Sequence, residues 1–321
     1  MIYLEYLAAA VIVVVLSIKA SDYIDLLDKN TKLSGAFLGG IMLSAVTSLP
    51  ELFTSISATV LLERPGLCMG NILGSDLFNL GALAFFILLF SKNFAKGKVS
   101  KSYRHVTVVV LVIYILITLN FAGILQFRIL HLSITSVLIA LIYGLGAKYL
   151  AVADDVTSDE AVLDYHSESS TSLSVKQIGV RFFFAAVGII AFSIILTYLT
   201  DEISVKLNLG QGLAGAIFLG VATSLPEVTS TIALFKMKNF NIAVGNIIGS
   251  NLFNFIILVV ADVLSMGSGV YATFDHQIEN LLIFGGTATI LFWVMLRFKK
   301  ATIQTVCALG MVASYLGFLL I

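Results

Sequence analysis

The chain alternates between long apolar runs and short polar stretches. Ten of the runs are long enough to cross a bilayer as a helix, which takes about 20 residues. They lie near residues 2–19, 34–61, 67–90, 104–122, 128–150, 174–200, 210–235, 241–264, 278–297 and 301–320. This pattern predicts an all-α membrane protein with ten transmembrane helices.

The composition supports that prediction. Of the 321 residues, 59% are hydrophobic and 12% are charged, and the mean hydropathy is +1.01. A soluble domain carries about 25% charged residues. The chain opens with MIYLEY, which lacks the basic n-region of a secretory signal peptide. We therefore expect the first apolar run to be a permanent helix.

The basic residues are unevenly divided between the two ends of the predicted helices. If the N-terminus lies outside the cell, sixteen of the nineteen Lys and Arg residues fall in loops on the cytoplasmic side. Only Arg64, Arg128 and Lys206 then face outside. Because cytoplasmic loops of membrane proteins are enriched in Lys and Arg, this bias predicts that both termini lie outside.

Two sequence motifs occur twice. The pentapeptide TSLPE is found at 47–51 and at 223–227, and GNILGSDLFN at 70–79 matches GNIIGSNLFN at 245–254 in eight of ten positions. Each half contributes five predicted helices, an odd number, so the second copy enters the membrane from the opposite side. Inverted repeats of this kind are typical of secondary transporters, whose substrate site lies near the midplane where the repeats meet.

We therefore divide the chain into two five-helix repeats. The first repeat covers 1–150, with its motif region at 39–79, and the second covers 174–321, with its motif region at 215–254. Between them, 151–173 is acidic and rich in serine and is predicted to be a flexible cytoplasmic linker. A regulatory calcium site in this linker is the alternative, but its acidic residues lack the glycine-hinged spacing of an EF-hand loop.

Each TSLPE motif places a proline inside an apolar run. Proline lacks the N–H that would bond the carbonyl four residues back, and its ring opens that turn. Pro50 therefore frees backbone carbonyls near Thr47, and Pro226 frees those near Thr223. In hydrocarbon, such groups are tolerated only where they are buried in protein or face a wet cavity. We expect these helix breakers to supply carbonyl ligands for a hard cation.

A glutamate follows each proline directly. A charged group at the bilayer centre costs about 2.5 to 3.5 kcal/mol on the insertion scale, and a bound cation would offset that cost. Hydroxyl and amide side chains of the motifs recur one helical turn apart, and so share helical faces. The candidate metal ligands are Glu51, Glu227, Thr47, Thr223, Ser48, Ser224, Ser75, Ser250, Asn79 and Asn254. All of them offer oxygen ligands, as Ca²⁺ and Na⁺ require. The two carboxylates balance the charge of one divalent ion, or most of the charge of several monovalent ions.

A structural interpretation stays open for each motif by itself. Proline-kinked helices with a buried glutamate occur in many membrane proteins, and Ser and Thr side chains often bond back to the preceding turn. We expect Gly70, Gly74, Gly245 and Gly249 to allow close helix packing rather than to bind ions. The occurrence of both motifs in both halves favours an ion site.

Together the motifs resemble the two alpha repeats of the sodium/calcium exchanger branch of the calcium/cation antiporter superfamily, over nearly the whole chain. The resemblance implies that glutamates at the positions of Glu51 and Glu227 hold Ca²⁺ with backbone carbonyls at those of Thr47 and Thr223. It implies that Ser48, Ser75, Asn79, Ser224, Ser250 and Asn254 complete overlapping sodium sites. It also implies that the first long helices of the two halves, here 2–27 and 174–202, slide across the core to alternate access.

Two positions depart from the family pattern. Some exchangers of this family, including potassium-dependent ones, carry Asp at the position of Asn254, so the amide here argues against potassium cotransport. Asp76 stands where the second half has Asn251, and it points about 100° away from Ser75 around the helix. We interpret Asp76 as a wall or access residue, with direct ion contact as the alternative.

Three other functions are alternatives to sodium-coupled calcium exchange. The proton/calcium antiporters of the same superfamily carry a GNxxE pattern, whereas this chain has Gly74 and Gly249 at the glutamate position, which favours sodium coupling. A proton on Glu51 or Glu227 could still compete with metal. An enzyme is disfavoured because no HExxH pattern occurs and the histidines fall at loops or helix ends, away from a nucleophile. A passive cation channel would show flux that depends on no counter-ion.

The sequence therefore predicts an electrogenic antiporter that exchanges Na⁺ for Ca²⁺ and normally extrudes calcium. We expect no cofactor and no nucleic acid, with the transported ions and the lipid bilayer as partners. The short linker and the lack of a targeting sequence suggest the plasma membrane of a prokaryote.

Overall fold

The computed structural model describes residues 1–30, 43–129, 131–155, 173–265 and 269–321. Within these ranges, nine helices are long and apolar enough to cross a membrane. The helices are α1 (Ile2–Asn30), α2 (Leu43–Thr47), α3 (Leu49–Ile56), α4 (Pro65–Leu89), α5 (Ser91–Phe94), α6 (Ser102–Phe121), α7 (Ile134–Asp155), α8 (Val175–Lys206), α9 (Gln211–Ala214), α10 (Val221–Lys236), α11 (Phe240–Leu264), α12 (His276–Arg297) and α13 (Ala301–Leu320). Two π-helical segments, Ser57–Leu61 and Gly215–Gly220, continue α3 and precede α10.

Several predicted segments fall partly outside the described residues, among them residues 39–42 of the motif region 39–79 and residue 130 of the predicted span 128–150. Of the second predicted span, 34–61, the structure describes α2, α3 and the π-helical segment after them. Of the predicted linker, 151–173, it describes the end of α7, which continues to Asp155, and residue 173.

The fifth predicted helix starts later than the apolar run indicates. The expected start at 128 was wrong, because Arg128–Ile129 and Leu132–Ser133 form a small antiparallel β-hairpin, β1 and β2, before α7. The carboxylate of Asp262 accepts hydrogen bonds from the Ser133 N–H at 2.9 Å and the Ser136 hydroxyl at 2.8 Å. It thereby satisfies donors at the start of α7 in the manner of a helix cap.

Local sequence signals explain several other helix starts. Pro65 begins α4, where its missing N–H removes no helical hydrogen bond. Ser174 and Gln177 form a capping box at the start of α8. The Asp275 carboxylate accepts a 2.8 Å hydrogen bond from the Ile278 N–H and caps α12. These caps fix where the long helices begin.

Helices α4 and α11, which carry the second motif, lie at the centre of the molecule. In each of them 72% of the residues in the most apolar 18-residue stretch are buried, whereas in α1 and α8 the share is 28%. Helices α1 and α8 contact each other at the periphery, and α1 also contacts α10 while α8 contacts α3. The Tyr6 hydroxyl on α1 donates a 2.6 Å hydrogen bond to the Phe218 carbonyl in the second π-helical segment.

The glycines of the first GNILGSDLFN motif allow a close helix crossing. A Cβ added to Gly70 would lie 2.2 Å from the Gly212 carbonyl oxygen, and one added to Gly74 would lie 2.4 Å from the Ala216 Cα. Helix α4 therefore packs directly against the backbone of α9 and the π-helical segment of the other half. The equivalent Gly245 differs, since its neighbour is the Tyr103 hydroxyl on α6, 2.4 Å from an added Cβ.

Candidate ion-binding site

The two TSLPE sequences break their helices in different ways. Helix α2 ends at Thr47 and α3 begins at Leu49, so the non-helical Ser48 (φ −89°, ψ 13°) separates them and Pro50 falls in the first turn of α3. In the second copy, α10 runs through Pro226 and the irregular π-helical segment precedes it. A buried hydroxyl, that of Ser17 on α1, lies 3.5 Å from the Thr47 carbonyl. The break thus presents that carbonyl inside the protein.

The two glutamates are buried and paired across the halves. Glu51 and Glu227 are 1% and 0% exposed. The Ser224 hydroxyl of the second motif donates to Glu51 Oε1 at 3.2 Å, and the Ser48 hydroxyl of the first motif lies 3.5 Å from Glu227 Oε1. The Ser250 hydroxyl on α11 lies 3.5 Å from the same Glu227 oxygen. The two TSLPE motifs therefore form one site rather than two.

Two asparagines hold the glutamate backbones in place. Asn71 Nδ2 on α4 donates to the Glu51 carbonyl at 3.3 Å and to the Ser55 hydroxyl at 2.9 Å. Asn246 Nδ2 on α11 donates to the Glu227 carbonyl at 3.3 Å and to the Thr231 hydroxyl at 3.2 Å. The two sets of contacts are equivalent under the internal repeat, so each central helix fixes the glutamate of its own half.

Two of the candidate hydroxyls bond to backbone in this conformation. The Ser75 hydroxyl donates to the Gly220 carbonyl at 3.2 Å, and the Thr223 hydroxyl donates to the Leu219 carbonyl at 2.9 Å. The Thr223 side chain also lies close enough to the Glu51 carboxylate to interact with it, as the Thr47 side chain does with Glu227. Both threonines thus lie beside the carboxylate of the opposite half.

A network of four side chains joins α4 to α11 one turn further along. Asn79 Nδ2 donates to Asn251 Oδ1 at 3.0 Å, and Asn254 Nδ2 donates to Asp76 Oδ1 at 2.8 Å. Asn251 Nδ2 donates to the Asp76 carbonyl at 3.0 Å. All four residues are at most 1% exposed. Asp76 is therefore enclosed between the central helices, and its interpretation as a wall or access residue stays a prediction.

Five of these buried side chains each keep one oxygen without a hydrogen-bond partner among the described residues. They are Glu51 Oε2, Glu227 Oε2, Asp76 Oδ2, Asn79 Oδ1 and Asn254 Oδ1. An unsatisfied buried acceptor costs about 1 to 3 kcal/mol, and more if it is charged. In the described part of the chain no group of three His, Cys, Asp or Glu side chains could hold a metal ion. The unpartnered oxygens instead make a mixed carboxylate and amide set, which suits a hard cation.

Comparison with protein families matches the model described as "Sodium/calcium exchanger protein" to residues 3–150 and 178–321. These two ranges cover both halves and leave out the region between them. The chain belongs to the sodium/calcium exchanger family. The resemblance inferred from the repeated motifs is thereby confirmed.

Relatives of this exchanger occur in bacteria, archaea and vertebrates. Inner membrane protein YrbG of Escherichia coli is 25% identical over 69% of this chain and 67% of its own length. Membrane protein MJ0091 of Methanocaldococcus jannaschii is 21% identical over 70% of this chain and 68% of its own length. Sodium/potassium/calcium exchanger 2 of Gallus gallus is 32% identical over 42% of this chain, and the match spans only 20% of that longer protein.

Solved structures share the fold of this exchanger. The H⁺/Ca²⁺ exchanger CAX superposes with a TM-score of 0.65 at 12% identity, over 99% of this chain and 87% of that one. The sodium-calcium exchanger NCX_Mj, soaked with Na⁺ and Sr²⁺, superposes with a TM-score of 0.60 at 20% identity, over 100% of this chain and 99% of that one. At these identities the likeness shows the fold, which sodium- and proton-coupled proteins share.

Sequence reasoning about this exchanger missed several of the residues that organise the site. Asn71 and Asn246 were part of the quoted motif but received no role, although their presence in both copies was a usable signal. Ser17 was also missed. It lies 176 positions before Ser193 on α8, the spacing that separates the two TSLPE motifs, and both serines are fully buried. A search for polar residues 176 positions apart in the long helices would have found this pair.

Proposed function

We propose that this exchanger is a secondary active antiporter that exchanges Na⁺ for Ca²⁺ across the plasma membrane. The observation that carries the proposal is the crossed pairing of Glu51 with Ser224 and of Glu227 with Ser48. Two buried carboxylates within one cage of oxygen atoms balance one divalent cation. The same two carboxylates neutralise most of the charge of several sodium ions, so binding of the two ions is mutually exclusive.

Binding would use the unpartnered oxygens around the glutamate pair. Ca²⁺ takes six to eight oxygen ligands, and Glu51, Glu227, Asn79 and Asn254 each offer one unpartnered oxygen. The Thr47 and Thr223 carbonyls and the hydroxyls of Ser48, Ser75, Ser224 and Ser250 are the further ligands that we assign. Overlapping use of one ligand set is what couples the two ions.

The transport cycle follows from the two-repeat arrangement that we propose. Ten transmembrane helices would form two inverted five-helix repeats, 1–150 and 174–321, joined by the linker 151–173, with both termini outside. Helices α1 and α8 contact each other and the glutamate-bearing helices α10 and α3 at the periphery. Sliding of this pair past the core would open the site to one side of the membrane at a time.

Membrane potential would add to the driving force if more positive charge enters with sodium than leaves with calcium. Each net charge moved is worth about 2.3 kcal/mol per 100 mV. A negative interior therefore favours sodium entry and calcium extrusion. This sign makes the proposed physiological direction calcium efflux from the cell.

Proton-coupled calcium transport is the second candidate. The fold is compatible with it, since the chain also superposes on the H⁺/Ca²⁺ exchanger CAX with a TM-score of 0.65. Proton coupling is disfavoured by Gly74 and Gly249, which stand where the proton-coupled pattern has glutamate. Since both are glycines, the pattern's carboxylate is absent from both halves.

The test measures radioactive calcium uptake into proteoliposomes that contain the full chain. Vesicles loaded with sodium and diluted into sodium-free buffer at fixed pH are compared with vesicles loaded with choline and given a pH gradient. We expect uptake only in the sodium-loaded vesicles. Uptake driven by the pH gradient alone would instead support the proton-coupled function, and uptake that needs neither gradient would indicate a passive channel.

A further inference from the structure

The network formed by Asp76, Asn79, Asn251 and Asn254 follows the internal repeat. Asp76 and Asn79 on α4 correspond to Asn251 and Asn254 on α11, in each case 175 positions later. The Asn79 amide donates to Asn251 Oδ1 at 3.0 Å, and its equivalent, the Asn254 amide, donates to Asp76 Oδ1 at 2.8 Å. These two hydrogen bonds are therefore related by the repeat.

One atom of this network differs in its hydrogen bonding between the two halves. Asn251 Nδ2 donates a 3.0 Å hydrogen bond to the backbone carbonyl of Asp76. The equivalent of that nitrogen is Asp76 Oδ2, and the equivalent acceptor is the carbonyl of Asn251. An ionised carboxylate cannot donate, and Asp76 Oδ2 has no hydrogen-bond partner among the described residues. Where one half places a donor against a carbonyl, the other half places a second acceptor.

No fixed positive charge on the central helices can compensate this carboxylate. Helices α4, α11 and α13 contain no Lys, Arg or His, and the basic residues of α12 are its first and last, His276 and Arg297. Asp76 is fully buried. A buried ionised carboxylate is strongly unfavourable unless it is paired or coordinates a metal ion. Helices α4, α11, α12 and α13 therefore supply no countercharge near the middle of the molecule, and Asp76 is neutralised either by a proton or by a bound cation.

We propose that Asp76 binds an alkali-metal cation beside the glutamate pair, through its unpartnered carboxylate oxygen and the backbone carbonyl of Asn251. The proposal rests on the proposed function and adds a third carboxylate to the site. Asn79 Oδ1 and Asn254 Oδ1, which have no hydrogen-bond partner among the described residues, lie in the same network and supply further oxygen ligands. One carboxylate among neutral oxygens balances a single charge, so this position selects a monovalent ion over Ca²⁺.

The decisive variant is Asp76→Asn. An asparagine here restores the donor that the repeat lacks, so all contacts of the network are kept and only the charge is lost. The matched control is the double variant Asp76→Asn with Asn251→Asp, which moves the carboxylate to the equivalent position of the other helix. If either variant fails to fold, as judged by size-exclusion chromatography in detergent, the other still tests the proposal.

The measurement is equilibrium binding of radioactive sodium to the purified full-length protein, with potassium and choline as competitors. We expect Asp76→Asn to bind sodium at least about tenfold more weakly than wild type, because a unit of attractive charge is removed from a buried site. The double variant should bind more tightly than Asp76→Asn. Competition by potassium as strong as that by unlabelled sodium would support an alkali-cation site that does not discriminate between the two.

Two results separate this inference from the proposed function. Sodium binding and sodium-driven calcium uptake that are both unchanged in Asp76→Asn would overturn the inference and leave the proposed function standing. Sodium binding that depends on Asp76, in a wild-type protein without sodium-driven calcium uptake, would support the inference and overturn the proposed function.

Discussion

The Ser224 hydroxyl donates a 3.2 Å hydrogen bond to Glu51 Oε1, although 173 positions separate the two residues in the chain. The bond joins the TSLPE motif of the second half to that of the first. Because Ser48 approaches Glu227 in the reciprocal way, each carboxylate is positioned by the opposite half. The glutamates thus belong to one shared site, and a change in either half is expected to alter the whole of it.

Removing the charge of either glutamate should abolish calcium exchange. We expect Glu51→Gln and Glu227→Gln each to reduce calcium uptake to the level of empty vesicles, because a divalent ion then faces one buried carboxylate instead of two. Glu202→Gln, which changes an exposed carboxylate on α8, is the control and should exchange normally. Uptake near the wild-type level in either site variant would show that the glutamates are not the calcium ligands.

The asparagines that hold the glutamate backbones should contribute to stability and to calcium affinity. Asn71→Ala removes the amide that donates to the Glu51 carbonyl and to the Ser55 hydroxyl. The Thr54 hydroxyl still donates to the Glu51 carbonyl, so the loss is that of buried hydrogen bonds, each worth about 0.5 to 1.5 kcal/mol. We expect a lower unfolding temperature in detergent and weaker calcium binding, and the same for Asn246→Ala.

The control for these asparagine variants is Asn93→Ala, which changes an exposed residue on α5 and should alter neither quantity. If Asn71→Ala unfolds at the wild-type temperature and binds calcium normally, the hydrogen bonds of Asn71 to Glu51 and Ser55 contribute nothing measurable.

The close crossing of α4 with the second half should tolerate no side chain at Gly70. A Cβ there would lie 2.2 Å from the Gly212 carbonyl oxygen, so Gly70→Ala forces the helices apart. Overpacking of this kind typically costs about 1 to 3 kcal/mol, and we expect a clear drop in unfolding temperature.

Gly286→Ala on α12 is the matched comparison, since an added Cβ there meets nothing within 4 Å. Alanine is favoured over glycine in a helix by about 1 kcal/mol, so this variant should be as stable as wild type or more so. Equal stability of the Gly70 and Gly286 variants would contradict the close crossing.

Much of this arrangement could be predicted from the sequence because the repeat is visible in it. The two copies of TSLPE, interpreted as parts of inverted repeats, implied that Glu51 and Glu227 meet, and the crossed serine contacts agree with that expectation. The repetition of Asn71 as Asn246 marks the position, but the contacts of Asn71 could not be predicted, since they depend on which backbone carbonyl its amide reaches. The β-hairpin before α7 was not predicted because it depends on a contact that is distant in sequence. The Asp262 carboxylate, which accepts a hydrogen bond from the Ser133 N–H, lies 129 positions further along the chain.

The contact between Asn254 and Asp76 should control monovalent-ion dependence. Asn254→Asp replaces the donor of the 2.8 Å hydrogen bond with a second carboxylate, so two like charges then face each other. We expect this variant to require a different concentration of sodium or potassium for half-maximal exchange.

Adding Asp76→Asn to that variant should return the ion dependence toward wild type, because the hydrogen bond is then restored with its direction reversed. Ion dependence that is identical in wild type, Asn254→Asp and the double variant would show that this contact does not tune selectivity.

The central claim is that one cavity between the two halves binds either Ca²⁺ or Na⁺. Equilibrium binding of radioactive calcium to the purified protein, measured at increasing sodium concentration, tests this claim most directly. Choline replaces sodium at constant ionic strength. The account predicts that sodium displaces calcium completely, with a dependence steeper than first order because several sodium ions replace one calcium ion. Calcium binding that is the same in sodium as in choline would contradict it.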